Sequence, residues 1–191
     1  MNYLAHALLA QEREAWIVGS LIADFRPGPT NLAIEILQGI ALHQKIDGFA
    51  EKNSHFHQIR TALRPAAGLY AGVVADICCD NLLIDQWHRY SQLPLDKFTA
   101  HVYTCLHASN DLLPVYWRRS HHVPPENWLA GYKDRAGLET ALLRLRAKVS
   151  STRRFPNIEE VLDLYFQQQR GLTTPFIRFF DEIVEALPAI K

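Results

Sequence analysis

The sequence predicts an all-α protein, a single-domain helical bundle over residues 1–191. Three observations carry this. Apolar residues recur at helical spacing through most of the chain, no stretch alternates with the period of two that a half-buried strand requires, and there is neither a repeat nor a low-complexity segment. At 191 residues, 48% of them hydrophobic and 21% charged, the chain is long enough for one substantial core.

The elements follow in order. Residues 2–10 form a short apolar helix and 14–24 a second, which stops at Arg26-Pro27-Gly28-Pro29 because proline lacks an N–H and disfavours helix in the residue before it. That stop leaves Asp24 at a helix end. Thr30 or Asn31 caps a third helix carrying Leu32, Ile36, Leu37, Ile40 and Ile46 to about Phe49. Residues 54–64 form a short helix ending before Pro65, and 67–90, apolar almost all round, the central buried helix. A helix over 95–117 should kink or end at Pro114, and Pro124-Pro125-Glu126 starts another through Tyr132. Residues 137–149 are basic and amphipathic, and 158–187 read as a terminal helix interrupted near Gly171 and Pro175.

Charge and cysteine usage narrow the partners. Lys+Arg and Asp+Glu are equal at 20 each, so no global field favours nucleic acid or an acidic membrane surface. The N-terminal apolar run has no basic leader and breaks at Gln11-Glu12-Arg13-Glu14, which reads as neither a secretory signal nor a membrane span. Cys78, Cys79 and Cys105 are odd in number and two of them are adjacent within an apolar helix, which points to free thiols in a reducing cytosol, hence a cytoplasmic protein.

Two pairs stand out, His43/Asp47 and Asp76/Asp80, each four residues apart and so on one helical face. The first pair shares its side with Leu32, Ile36 and Ile40, the second with Leu69, Val73, Leu83 and Trp87, so both point inward. A buried carboxylate needs a cationic or metal partner, and three carboxylates with an imidazole in an apolar bundle suit a divalent cation. The structural alternatives stay open: His43/Asp47 as a helix-stabilising pair, and Asp76 and Asp80 paired with Arg60 or Arg64. Trp16, Trp87, Trp117 and Trp128 read as core anchors, since no RNA-binding motif surrounds them. His55, His57, His121 and His122 read as solvated, and His88, His101 and His107 receive no role.

Met1-Asn2-Tyr3-Leu4-Ala5-His6, Gly19-Ser20-Leu21-Ile22-Ala23-Asp24-Phe25, Gly39 through Phe49 with its His43-Gln44-Lys45-Ile46-Asp47 core, and Asp76-Ile77-Cys78-Cys79-Asp80-Asn81 with Trp87 together resemble the acyl carrier protein phosphodiesterase family. The resemblance extends through Asn127-Trp128-Leu129 with Tyr132 and through Pro175-Phe176-Ile177-Arg178-Phe179-Phe180. It implies a fold related to the HD-type metal phosphohydrolases and a place in fatty acid metabolism. The implied reaction is manganese-dependent hydrolysis of the phosphodiester joining 4′-phosphopantetheine to holo acyl carrier protein. By the same resemblance Asp24, His43, Asp47, Asp76 and Asp80 would lie at Mn²⁺ (or Mg²⁺), with Asp24 as ligand or as base orienting water, and His6 in the catalytic site or behind it. Oxygen and imidazole donors without thiolate suit those ions.

The sequence departs from the family pattern at Asn81, where a histidine is expected, at Asn53 in Ala50-Glu51-Lys52-Asn53, and at Gln44 and Ser20. Two other functions therefore stand beside the first: an HD-type phosphohydrolase of a nucleotide or small phosphoester, and a non-catalytic helical relative with a decayed metal site. The basic cluster Arg144, Arg146, Lys148, Arg153 and Arg154 would meet the acidic surface of holo acyl carrier protein, with a solvated helix face as the alternative. The expected partner list is that protein, without nucleic acid or membrane; the sequence leaves the oligomeric state open.

Overall fold

Among the described residues the apolar runs of the sequence become helices in the computed structural model, which describes residues 2–24, 32–109, 128–149 and 154–191. In chain order these are α1 (Tyr3–Leu9), α2 (Glu14–Ile22), α3 (Ile34–Ala50), α4 (Ser54–Ala67), α5 (Ala71–Asp85), α6 (Trp87–Tyr90), α7 (Leu95–Ala108), α8 (Arg135–Lys148) and α9 (Ile158–Ile190). Short 3₁₀ turns occupy Gly68–Tyr70 and Ala130–Lys133, and no strand occurs among the described residues. The all-α class is as the sequence predicts.

The packing positions one end of the bundle. α2 and α3 cross in close contact because Gly19 and Gly39 face each other: a methyl on Gly39 would lie 2.6 Å from the Trp16 carbonyl oxygen, and one on Gly19 would drive into that of Ile36. α1 lies against α2 and α5, while α9 runs along α4 and also meets α3, α5 and α8. The core these helices share includes Ile17, Ile46, Ile59, Leu82, Phe98, Tyr165 and the Phe176, Phe179, Phe180 cluster, all essentially inaccessible to solvent. Trp87 anchors it through a tilted ring contact with Phe98, centroids 5.2 Å apart.

Several element boundaries differ from the sequence reading. α4 runs through Pro65 to Ala67, because a proline two residues from a helix end removes one hydrogen bond while Leu63 and Ala67 stay buried. The predicted 67–90 helix breaks at Gly68, whose φ of 55° turns the chain, and again after Asp85. Leu69, expected on the inward face, is consequently 98% exposed. The stretch Ser54–Asp85 has the apolarity of a membrane span, with 61% of its apolar window buried, and its two halves, α4 and α5, pack on each other. α9 is continuous where a break near Gly171 and Pro175 is expected. Proline in a helix interior costs about 3 kcal/mol, and burial of Leu172, Phe176, Phe179, Phe180 and Ile183 on one stripe holds the helix across it. α3 begins after Ala33, which makes no side-chain cap. Thr30, Asn31, Pro114, Trp117, His121, His122, the prolines at 124 and 125, and Arg153 lie outside the described residues.

Candidate metal centre

Three helices bring two imidazoles and two carboxylates together. α1 is apolar and buried for six of its seven residues, so it lies inside the bundle and carries His6 with it. α3 supplies His43 and Asp47 one turn apart, and the chain leaving α2 supplies Asp24. His6 and His43 stack face to face, ring centroids 3.8 Å apart and 14° from parallel. Asp47 clamps the pair: its Oδ1 lies 3.1 Å from His6 Nε2 and its Oδ2 3.0 Å from His43 Nε2. Asp24, at the mouth with its side chain 58% exposed, reaches His43 Nε2 at 3.2 Å.

The orientation of His43 is fixed from behind. Its Nδ1 donates to the Ser20 carbonyl oxygen at 2.8 Å, which leaves Nε2 as the atom facing the carboxylates. That bond depends on the close glycine crossing, since Ser20 follows Gly19 on α2. The same hydrogen bond to a carbonyl is what orients metal-binding imidazoles generally.

Electrostatics divides the two histidines. Burial, with His43 alongside, lowers the His6 pKa to about 4, so this ring is neutral. Burial also opposes charge on His43, but hydrogen bonds to Asp24 and Asp47 outweigh it and raise its pKa to about 9. Asp47 resists ionisation through burial, yet its bonds to His43 and His6 hold it well below the usual carboxylate range; Asp24 is lowered chiefly by His43.

A divalent ion fits this arrangement. The ligand atoms of His6, His43 and Asp47 lie within 4.8 Å of one another, and the donor set is imidazole and carboxylate. His6 Nδ1 and Ser20 Oγ are buried without a hydrogen-bond partner, atoms of the kind an ion or its water would satisfy. His43 would exchange the proton held at Nε2 for the ion.

The second carboxylate pair is placed differently. Asp80 is fully buried and accepts from Leu4 N at 2.9 Å and Ala5 N at 3.0 Å. It thus satisfies the open N–H groups at the start of α1 and holds the helix that bears His6, and it is not among the clustered ligand atoms. Burial nonetheless raises its pKa to about 7 against those two bonds. Asp76, one turn earlier, is raised by burial and lies near enough to feel the charges of Asp47 and Asp24. Neither Arg60 nor Arg64 takes the place expected of it at Asp80, whose partners are backbone.

Of the departures from the family pattern, Ser20 touches this cluster through its carbonyl, while Asn81, Asn53 and Gln44 are not among the clustered ligand atoms. Asn81 donates to the Tyr132 carbonyl oxygen at 2.7 Å and accepts from the Tyr165 hydroxyl at 2.6 Å and from Gln169 at 3.0 Å, joining α5 to α9 and the 3₁₀ turn before α8. Asn53 caps α4, accepting from His55 N and Phe56 N and donating to Glu182. Gln44 is exposed. The basic residues Arg144, Arg146, Lys148 and Arg154 are exposed on α8 and just before α9. The residues that sequence reasoning missed are Ser20, as carbonyl acceptor, and the Gly19/Gly39 contact; a glycine in each of two adjacent helices was the available signal.

The comparisons with known proteins converge. The family model described as acyl carrier protein phosphodiesterase matches residues 1–183. A protein named acyl carrier protein phosphodiesterase from Klebsiella pneumoniae is 26% identical over 96% of both chains. One of the same name from Escherichia coli O127:H6 is 26% identical over 97% of this chain and 96% of its own. No solved structure matches the chain significantly. With the His6, His43, Asp24 and Asp47 cluster assembled from the very segments that carry the resemblance, this chain belongs to the acyl carrier protein phosphodiesterase family.

Proposed function

We propose that this protein is a metal-dependent phosphodiesterase that releases 4′-phosphopantetheine from holo acyl carrier protein, using Mn²⁺ or Mg²⁺, and that it is kin to the HD-type phosphohydrolases. The observation that carries the reading is the convergence of two stacked imidazoles and two carboxylates at the mouth of the bundle, in a chain of this family. His6, His43, Asp47 and Asp24 would hold the ion. When bound, the ion supplies charge to a phosphoryl oxygen and acidifies a water. Asp47 keeps both rings in place, and the Ser20 carbonyl, by holding the Nδ1 proton, leaves Nε2 as the atom that would ligate once its own proton is displaced. Asp24 is exposed enough to meet substrate, and as a carboxylate it can orient a water and accept its proton.

The exposed Arg144 and Arg146 would guide the acidic partner. Arg144 is close enough to Tyr132 to act on it, and Tyr132 neighbours Asn2 at the start of α1, so the basic face borders the entry of α1 into the site.

The decisive experiment is the intact mass of holo acyl carrier protein after incubation with this protein and Mn²⁺, beside an Asp24→Ala control. The expected result is loss of the phosphopantetheine mass with the wild type only. An unchanged mass with folded, metal-supplied protein would overturn the reading.

A further inference from the structure

A second cluster lies at the other end of α2. On α7, His101 and Cys105 are four residues apart and face Glu14, the first residue of α2. Cys105 Sγ is 3.6 Å from His101 Nε2, and His101 Nε2 is 4.0 Å from Glu14 Oε1. All three ligand atoms lie within 4.8 Å of one another.

The arrangement is not that of an activated thiol. A nucleophilic triad uses one ring nitrogen for the thiol and the other for the carboxylate. Here the same Nε2 meets both, so the three groups converge on a common point. Burial also raises the Cys105 thiol to about 11, which leaves little thiolate in the absence of a cation.

Convergence of sulfur, nitrogen and oxygen is what a tetrahedral ion requires. Zinc bonds of roughly 2.3 Å to sulfur and about 2.05 Å to nitrogen put those ligands about 3.6 Å apart at the tetrahedral angle. The observed Sγ–Nε2 separation equals that value. Glu14, 74% exposed, has the freedom to close its remaining gap of about half an ångström toward the corresponding N–O spacing.

We propose that Glu14, His101 and Cys105 form a second metal site, taking a borderline-soft divalent cation of the Zn²⁺ class, with water in the fourth position. As the metal–sulfur bond forms, the Cys105 proton passes to solvent. An ion there would brace the start of α2 against α7, on the helix whose far end presents Ser20 and leads to Asp24. The site is independent of the phosphodiesterase reading, because its donors include a thiolate and those of the His/Asp cluster do not.

That difference makes it testable with Co²⁺ as spectroscopic probe on the full chain. The expected result is a thiolate-to-cobalt charge-transfer band, lost in Cys105→Ser. Cys78 and Cys79 lie buried in α5, outside the cluster. Loss of an outer-shell partner alone weakens metal sites by about 10–100-fold. His101→Ala, at a half-exposed position, should therefore weaken the band's Co²⁺ affinity by roughly tenfold or more, with the circular dichroism spectrum unchanged. Absence of the band in wild type, its survival in Cys105→Ser, or an unchanged affinity in His101→Ala would each overturn the site.

Discussion

A carboxylate that holds a backbone does different work from one that holds two imidazoles, and Asp80 and Asp47 divide along that line. Asp80 takes two N–H groups of α1, so Asp80→Ala leaves both buried donors unpaired and should destabilise the fold by about 2–4 kcal/mol, read by urea denaturation. Asp47→Ala should abolish metal binding, read by calorimetric titration with Mn²⁺, while Asp80→Asn should retain its stoichiometry. His43 adds a pH signature to the metal-free protein. Its pKa is raised from an ordinary 6.5 to about 9, so the stability it contributes is fully present below pH 6.5 and is lost as pH rises through 9. Denaturation curves between pH 6 and 10 in chelator should show that decline in wild type and not in His43→Asn. At this scale the His43/Asp47 pair was legible because a spacing of four on an inward face is a property of sequence. The role of Asp80 was not, since periodicity says that a side chain is buried but not whether a helix N-terminus from 75 residues away arrives to meet it.

Between elements, the crossing of α2 and α3 sets the depth at which His43 meets Ser20. Gly19→Ala should force the helices apart, with a cost of about 1–3 kcal/mol in stability and a weaker Mn²⁺ affinity from the lost orientation of His43, measured on the same sample by thermal melt and titration. Helix positions came readily from apolar periodicity; ends did not. Pro65 and Pro175 are local signals for breaks that tertiary burial on either side overrides, whereas Gly68 carries a positive φ that no periodicity reveals. Asn81 is the clearest case. Compared with a family pattern it looks like a lost ligand, but in place it is an amide that two helices and a turn share through three hydrogen bonds.

For the whole molecule, a formal net charge of zero means that attraction to an acidic partner must come from a local face. Reversing charge at Arg144 and Arg146 should raise the KM for holo acyl carrier protein with little change in kcat, and the difference should shrink as salt is added. The long separations in sequence within the site have a temporal meaning as well. His6 is synthesised 41 positions before its partner Asp47, and the carboxylate that fastens α1 comes 75 positions after Ala5. During synthesis α1 can pack on α2 as soon as that helix is made, but the carboxylates that fix His6 and the start of α1 arrive only with α3 and α5, so the centre closes after those helices have joined the bundle.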